Sequence, residues 1–459
     1  MLKDKVKKCS RWLMLGLAVL QLSAGGAAAA GSVPEAEIQA KAVLQPKAVL
    51  RTESQIKPSS FWDQASSRNK IVVVSDLHLN QDDKLGIDVK NRPLLIRFLQ
   101  GLKKTGDVRE LVINGDFLDE WNLPFNAPAY SNSKVIYRQI IAHNQPVFQA
   151  LQDLMASGVK LVYVPGNHDM LLDRQVLAKA LPGVVQARDA RGLGAYYTGD
   201  RREIVIEHGH RYDAFCAPDT VTNRDLAENG DTILPPAYFH ARILAGWNQE
   251  GNPKLTKTLP LVTTPPASGN IDQLGAYYYY QCLLVQLQRI TPREDPAAKL
   301  VTLHSAGLNG SYSVLDIFPV QQKDGTISSP VLFKNFQRTW EAREEANRVK
   351  VKNSQGGFIE ALMQSSNPQY YYQQAQRQYL ANPREQVEVV VFGHTHIPDW
   401  RKAGPGRFYV NTGTWLDYNG DYPAATRTFV VITTGKVDKV AVYKYNQDDT
   451  VTDISKQLG

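Results

Sequence analysis

Short apolar runs alternate with amphipathic stretches through the first part of the chain, and this alternation predicts a mixed α/β fold. Apolar runs of strand length occupy residues 71–74, 111–113, 161–164 and 203–206. Helical periodicity lies between these runs, over residues 93–104, 135–155 and 171–181. Four more strands are predicted close together towards the C-terminus, at 387–392, 407–410, 428–433 and 437–445.

The pattern changes between residues 211 and 386. This segment holds 11 of the 21 tyrosines, with runs at Tyr277–Tyr280 and Tyr370–Tyr372, and helical stretches at 335–349 and 374–380. We therefore predict a mainly helical insertion within a discontinuous domain formed by residues 69–210 and 387–447. Its tyrosines either fill a small core of the insertion or line a wall over a substrate with apolar or ring-shaped parts.

The N-terminus predicts export. Residues 1–11 are basic, residues 12–22 are apolar, and residues 24–31 are small, which is the layout of a secretory signal. We expect removal of residues 1–30 near Ala30, a linker over 31–68, and a periplasmic or secreted protein. The alternative is an uncleaved anchor, for which the apolar run is short, and no later run reaches the length of a transmembrane helix.

Composition narrows the class of protein and of partner. With 459 residues, 43% of them hydrophobic and 21% charged, the chain has the composition of a globular protein. Its formal charge of +7 is not gathered in a Lys/Arg stripe, so no nucleic-acid surface is evident. Cys216 and Cys282 remain after signal removal, either paired or as two buried thiols. The sequence does not indicate an oligomeric state.

Five short polar motifs each follow a strand-like run. They are Asp76-x-His78, Gly115-Asp116-x-x-Asp119, Gly166-Asn167-His168-Asp169, His208-Gly-His210 and Gly393-His394-x-His396. Ligand sites in open α/β sheets form just beyond the carboxyl ends of the strands. The order of these motifs therefore predicts a single polar site at one rim.

The donors in these motifs favour a pair of metal ions. Carboxylates, imidazoles and an amide oxygen, without a thiolate, suit Mn, Fe or Zn. There are seven strong donors, more than one ion needs: Asp76, His78, Asp116, Asn167, His208, His394 and His396. Two ions about 3.5–4 Å apart, sharing one carboxylate, form the arrangement that clamps both oxygens in phosphoryl transfer.

This ordered set of motifs resembles that of the calcineurin-like metallophosphoesterase superfamily. The resemblance implies a sandwich of two β-sheets flanked by helices, with a dinuclear centre at the strand ends. It also implies two sets of metal ligands, with Asp116 as the bridge. One set is Asp76, His78, Asp116 and His396; the other is Asp116, Asn167, His208 and His394.

The same resemblance implies roles around the metals. A hydroxide bridging the two ions would attack phosphorus in line, His168 would protonate the leaving oxygen, and Asp119 would orient His168. Asp169 either takes that orienting role instead of Asp119 or caps the following helix, predicted over 171–181, and we expect the cap. His210 either contacts phosphate or supports a metal ligand.

Within the superfamily, the motif details look most like the UDP-2,3-diacylglucosamine pyrophosphatase branch. The residues that carry this likeness are Ser75–Leu79, Asp116–Trp121, His394–Pro398 and Asn411–Trp415. The export signal and the long insertion depart from that branch, so we carry over the reaction class alone, with a phosphorylated small molecule, nucleotide derivative or lipid as substrate. The competing hypothesis is a non-catalytic, metal-containing binding protein, which keeps the metal site for structure and whose aromatic insertion recognises a glycan, a lipid or a partner.

Overall fold

The computed structural model describes residues 61, 67–124, 133–188, 192–251, 266, 270–290, 295–352, 357–365, 367–419 and 425–458, with the side chains of 281–290 and 363 excepted. The predicted signal at 1–30, and the predicted linker apart from residues 61, 67 and 68, lie outside the described residues. None of the described helices is both long enough and apolar enough to cross a membrane.

The described residues form two large sheets, and the first of them has seven strands. In spatial order they are β16 (Val451–Asp453), β15 (Lys439–Tyr445), β14 (Thr428–Thr433), β1 (Lys70–Val74), β2 (Val108–Asn114), β3 (Lys160–Val164) and β4 (Val185–Gln186). β1 to β4 run parallel, and β14 lies antiparallel to β1. The sheet therefore includes β16, which follows the predicted domain end at 447.

The second sheet has five strands. Their order is β12 (Asp399–Gly404), β13 (Arg407–Asn411), β11 (Val389–Phe392), β6 (Ile204–Ile206) and β5 (Tyr196–Thr198). β13, β11 and β6 run parallel, and the two edge strands are antiparallel to their neighbours. The chain returns to this sheet after the insertion, because β6 precedes residue 211 and β11 follows residue 386.

Alternating side chains hold the two sheets face to face. Ile71 and Val73 of β1 belong to one buried cluster with Ile206 of β6 and Val391 of β11. Val72 and Val74 belong to a second cluster, which contains the helices on the outer face of the first sheet. This period-two alternation is what a strand buried on both faces requires. The predicted α/β sandwich of two sheets flanked by helices is confirmed.

In the part of the chain that the structure describes, four helices cover the outer face of the first sheet: Arg92–Thr105, Ser133–His143, Gln145–Ala156 and Arg174–Ala180. The prediction of a single helix over 135–155 is wrong, because the helix is interrupted at Asn144 and a second helix begins after it. Pro146 stands at the start of the second helix, where the missing N–H of proline costs no hydrogen bond. In a continuous helix, the same proline would have left the carbonyl of Ala142 without its donor.

The insertion packs on the outer face of the second sheet. Its described part contains two β-hairpins, β7–β8 (Val301–Ser305, Leu308–Tyr312) and β9–β10 (Val320–Gln321, Ile327–Ser328). Its helices are Pro236–Gln249, Ile271–Ile290, Val314–Ile317, Phe336–Ala346, Gly357–Met363, Pro368–Ala375 and the π-helix Gln376–Leu380, with 3₁₀ turns at His210–Tyr212, Arg224–Leu226 and Glu228–Gly230. A short helix, Ser455–Leu458, follows β16.

The tyrosine runs of the insertion belong to a hydrophobic core. Tyr278, Tyr279, Tyr280, Tyr370 and Tyr371 are all buried, in one cluster with Val205, Val390, Phe392 and Tyr409 of the second sheet. The first alternative from the sequence is therefore the better description, except that this core is shared with the sheet. Within the described residues Cys216 forms no disulfide, and the side chain of Cys282 lies outside them, so the pairing of the two cysteines stays a prediction.

His240 gives this core an expected sensitivity to acid. The imidazole is buried and stacks on Phe318, with ring centroids 4.9 Å apart, and neither nitrogen has a hydrogen-bond partner among the described residues. Burial lowers the pKa of His240 to about 3. Because the unfolded chain takes up this proton near pH 6.5, His240 costs stability as the pH falls from about 6.5 towards 3.

Between pH 7 and pH 5, we expect the wild type to lose about 2 kcal/mol of its free energy of unfolding through His240. The variant His240→Phe should not show this loss. Denaturant unfolding at the two pH values measures this difference. His304→Gln changes an exposed histidine and should keep the wild-type pH dependence. An equal loss of stability in wild type and His240→Phe would contradict the prediction.

Candidate metal centre

The five polar motifs meet at one rim of the sandwich, where parallel strands of both sheets end. β1, β2 and β3 of the first sheet precede three motifs, and β6 and β11 of the second sheet precede the other two. Backbone hydrogen bonds join neighbouring motifs, since Asp76 N–H donates to Gly115 O (3.1 Å) and Gly393 N–H donates to His208 O (3.0 Å). Two sheets thus supply one site.

Five of the seven predicted ligands have an unusual backbone conformation. Their φ angles are positive: Asp76 53°, His78 48°, Asp116 50°, His394 70° and His396 59°. Non-glycine residues in this left-handed region cost of order 1–3 kcal/mol each, and such strain concentrates at functional sites. The turns after β1, β2 and β11 therefore hold these side chains in place at the expense of stability.

Glycine is required beside these ligands because the backbone approaches their carboxylates closely. A Cβ atom on Gly166 would lie 2.2 Å from Oδ1 of Asp116, and one on Gly393 would lie 2.8 Å from Oδ2 of Asp76. Neither distance is compatible with a real side chain. The glycines thus let the strand ends pack directly against two predicted ligands.

The four predicted ligands of one ion form a cluster. The ligand atoms of Asp76, His78, Asp116 and His396 all lie within 4.8 Å of one another. His396 Nε2 is 3.1 Å from Asp76 Oδ1, and His78 Nε2 is 3.6 Å from Asp116 Oδ2. Carboxylate oxygens and imidazole nitrogens thus converge from the ends of β1, β2 and β11.

Three of the four predicted ligands of the other ion form a second cluster, and it shares Asp116 with the first. It contains Asp116, His208 and His394, and His208 Nε2 is 3.2 Å from Asp116 Oδ2. The fourth predicted ligand, Asn167, follows β3 and is buried. One carboxylate therefore stands between two groups of donors.

Three donor atoms are buried and make no well-aligned hydrogen bond to a described residue: Asp76 Oδ1, Asn167 Oδ1 and His208 Nε2. The close neighbours of Asp76 Oδ1 and His208 Nε2 are other predicted ligands, His396 Nε2 at 3.1 Å and Asp116 Oδ2 at 3.2 Å. His208 Nδ1 donates to the carbonyl of Asn114 (2.8 Å), which leaves the lone pair of neutral His208 on Nε2. Leaving such atoms unsatisfied costs about 1–3 kcal/mol each. Divalent cations fit this donor set, since they would satisfy all three atoms at once.

The charges in the site stabilise one another. Although burial opposes the shift, the carboxylates of Asp116 and Asp76 raise the pKa of His208 to about 9. Burial also opposes ionisation of Asp116, but the imidazoles of His208 and His168 hold its pKa well below the usual range. Likewise, despite burial, Asp119 and Asp116 raise the pKa of His78 to about 9. The field of the buried carboxylates favours positive charge at this rim.

Asp119 connects the predicted general acid to a predicted metal ligand. Its Oδ1 lies 2.8 Å from His168 Nδ1, and its Oδ2 lies 3.0 Å from His78 Nδ1. Burial opposes ionisation, but His168 and His78 hold the pKa of Asp119 far below its usual range. A carboxylate in this position fixes both rings with Nε2 facing away from Asp119, which agrees with the orienting role predicted for it.

The cap predicted for Asp169 is wrong. Asp169 accepts hydrogen bonds from the backbone N–H groups of Gly166 (2.7 Å) and Phe117 (2.8 Å), so its buried carboxylate ties the loop after β3 to the loop after β2. The helix begins only at Arg174, and Asp173 caps it by accepting from the N–H groups of Gln175 and Val176 (2.9 and 3.1 Å).

His210 has the geometry of a supporting residue. Its Nε2 donates to the carbonyl of Gly192 (2.8 Å), and its buried ring centre lies 5.3 Å from that of His208. Burial and the neighbouring His208 and His394 hold the pKa of His210 well below its usual value. A neutral ring tied to a backbone carbonyl favours the supporting alternative over direct contact with phosphate.

Two residues at the site were missed by the sequence analysis. Asp213 places Oδ2 3.1 Å from His394 Nε2, and the indole of Trp121 stacks on His168 with ring centroids 4.5 Å apart. Asp213 lies five positions after His208, just inside the segment assigned to the insertion. Trp121 lies within the motif of Asp116 and Asp119, and it had no chemical signal of its own.

The fold and this cluster of aspartates and histidines define a metal-dependent phosphoesterase. Residues 69–251 match the sequence model of the family described as calcineurin-like phosphoesterase. Residues 69–251 thus carry a calcineurin-like phosphoesterase domain, and the two-sheet sandwich and the site agree with that match. Together they indicate a dinuclear site for divalent cations.

The search of solved structures returned matches of low similarity. A dimetal phosphatase from Danio rerio shares 11% sequence identity, with a TM-score of 0.29, over 82% of this chain and 95% of that chain. Phosphopantetheinyl hydrolase from Mycobacterium tuberculosis shares 10% identity, with a TM-score of 0.24, over 78% of this chain and 93% of that chain. No curated protein matches the sequence.

Proposed function

We propose that the protein is a two-metal phosphohydrolase that cleaves a phosphoester or pyrophosphate bond by in-line attack of water. The observation that carries this proposal is the pair of donor clusters that share Asp116, with His168 held by Asp119 next to them (Nδ1 to Oδ1, 2.8 Å). This combination provides a place for two cations and a separate proton donor, which are the parts that phosphate-ester hydrolysis needs.

The chain's own residues supply binding and orientation. We assign Asp76, His78, Asp116 and His396 to one ion, and Asp116, Asn167, His208 and His394 to the other. When bound, a pair of divalent ions, which we expect to be Mn, Fe or Zn, would lower the pKa of water and neutralise charge on the phosphate oxygens. Asp119 and Asp213 support this set, because each holds a ring nitrogen of an assigned ligand: His78 Nδ1 at 3.0 Å and His394 Nε2 at 3.1 Å.

His168 is the proposed general acid. Its Nδ1 hydrogen stays with Asp119, so the proton on Nε2 is the one available to the leaving oxygen as the P–O bond breaks. The side chain of His168 is 12% exposed, whereas that of Asp119 is fully buried. This difference supports the assignment, because a substrate can reach the imidazole and the carboxylate remains shielded behind it.

The proposed substrate is a phosphorylated small molecule, a nucleotide derivative or a lipid, and the proposed location is the periplasm or the medium. The basic, apolar and small-residue layout of residues 1–31 supports export. Export also separates this protein from the UDP-2,3-diacylglucosamine branch that its motifs resemble, so we extend the reaction class of that branch to this chain and leave its substrate aside.

The test is hydrolysis of generic substrates by the purified full chain. We expect Mn-dependent release of nitrophenol from p-nitrophenyl phosphate or its diester, loss of activity with a chelator, and recovery when manganese is returned. Pyrophosphate, nucleotides, nucleotide sugars, phospholipids and sugar phosphates then identify the substrate class. If the folded, metal-loaded protein turned over none of these compounds, the proposal would be wrong.

A further inference from the structure

The loop that follows β2 holds the proposed general acid from two directions. Oδ1 of Asp119 lies 2.8 Å from His168 Nδ1, and it also accepts from the backbone N–H groups of Trp121 and Asn122, each at 2.9 Å. The same loop places the indole of Trp121 against the imidazole, at a centroid distance of 4.5 Å and an interplanar angle of 30°. The loop therefore fixes both an edge and a face of His168.

The insertion contacts this loop through the helix Pro236–Gln249. Tyr238 packs its ring edge-on against the buried indole of Trp121, with centroids 6.0 Å apart and planes at 88°. This contact places the aromatic rings of Tyr238, Trp121 and His168 in series. A displacement of the helix would thus be passed to the imidazole through packed rings.

Arg242, one turn after Tyr238, fastens the helix to the loop. Its guanidinium donates from Nε to the carbonyl of Leu123 (3.0 Å), from Nη2 to that of Pro124 (3.2 Å), and from Nη1 to the hydroxyl of Tyr238 (2.8 Å). The arginine is only 1% exposed. Since a buried guanidinium is costly to leave unpaired, these bonds resist separation of the helix from the loop.

We infer that the insertion is a positioning element for catalysis, in which Trp121 and Tyr238 set the orientation of the His168 imidazole. This inference rests on the proposed function, because it concerns the proton that His168 Nε2 gives to the leaving oxygen. That proton moves as the bond from phosphorus to the leaving oxygen breaks and the bond from phosphorus to the attacking water oxygen forms. Neither Trp121 nor Tyr238 needs to touch the substrate. They act by keeping Nε2 of His168 aligned with the leaving oxygen.

The dependence of rate on the leaving group tests this inference. Phenolate needs protonation when it leaves, whereas 2,4-dinitrophenolate is stable without it, so a misplaced general acid slows only the phenyl ester. In Trp121→Leu and Tyr238→Leu, we expect kcat on phenyl phosphate to fall about tenfold further than kcat on 2,4-dinitrophenyl phosphate. This effect is smaller than the roughly 10²–10⁴-fold that a general acid contributes in full, because His168 is misplaced and not removed.

Phe239→Leu is the matched control. Phe239 is the next residue of the same helix and is equally buried, but its ring packs against Tyr312 and Phe333, in addition to Tyr238. This variant should keep the wild-type ratio of the two rates. An unchanged ratio in both test variants, with circular dichroism showing that they are folded, would overturn the inference.

An NMR measurement separates failure of the inference from failure of the proposed function. The ring current of Trp121 should shift the Cε1–H resonance of His168, and this resonance should move or broaden in Tyr238→Leu and stay unchanged in Phe239→Leu. Inactivity of the wild type on both esters would overturn the proposed function, and with it the catalytic part of the inference. A His168 resonance that Tyr238→Leu leaves unmoved would overturn the positioning itself.

Discussion

Replacing Asp116 by Asn is expected to reduce phosphatase activity by about 10³-fold or more, and to reduce the content of bound metal. Among the residues that the structure describes, Asp116 is the one side chain that belongs to both donor clusters. Its Oδ2 lies 3.2 Å from His208 Nε2, and its Oδ1 accepts from the backbone N–H of His168 at 2.9 Å. A single lost electrostatic donor costs about 10²–10³-fold, and here one substitution weakens two cation sites.

The control for Asp116→Asn is Asp438→Asn. Asp438 is also a buried carboxylate, but it lies in the turn after β14, at the end of the first sheet opposite to the site, since Thr433 pairs with Lys70 at the start of β1. Activity on p-nitrophenyl phosphate and elemental analysis of the dialysed protein measure both effects. Full activity with two bound ions in Asp116→Asn would contradict the assignment of Asp116.

His168→Asn is expected to lower kcat on phenyl phosphate by about 10²–10⁴-fold, with a much smaller effect on 2,4-dinitrophenyl phosphate. The substitution removes the proposed proton donor. It removes none of the assigned metal ligands, so the metal content should stay at the wild-type value. This combination of low kcat, retained metal and dependence on the leaving group is specific to a general acid, and loss of a ligand would not produce it.

The control for His168→Asn is His143→Asn. His143 lies at the surface, 2.8 Å from Asp83, and its substitution should leave kcat unchanged for both esters. Steady-state kinetics under saturating substrate give the comparison. Equal losses of kcat on the two esters in His168→Asn would show that His168 acts in some way other than by donating a proton.

The sequence predicted the sandwich and the convergence of the motifs because both depend on local patterns. Strands buried on both faces read as unbroken apolar runs, such as Val72 and Val73 of β1. A motif that directly follows such a run lies at the carboxyl end of a strand, and parallel strands bring those ends together. The positions of Asp76 and Asp116 at one rim follow from this rule, since β1 and β2 run parallel in the first sheet, without knowledge of any side-chain contact.

Other features depend on contacts between distant residues, and the sequence did not predict them. Asp169 fits the pattern of a helix cap, but its carboxylate accepts the N–H of Phe117, 52 positions earlier. Trp121 has the apolar character of a core residue, and its stacking on His168 is seen only in the folded structure. The tyrosine run alone could not show that Tyr371 belongs to the same hydrophobic core as Phe392 of the second sheet.

Anomalous diffraction from crystals of the manganese-loaded protein would show whether two ions bind at Asp116. We expect two manganese peaks about 3.5–4 Å apart, one on either side of the Asp116 carboxylate, with the first beside His78 and His396 and the second beside His208 and His394. A single peak at Asp116, no peak there, or peaks bound only elsewhere on the protein would contradict this expectation.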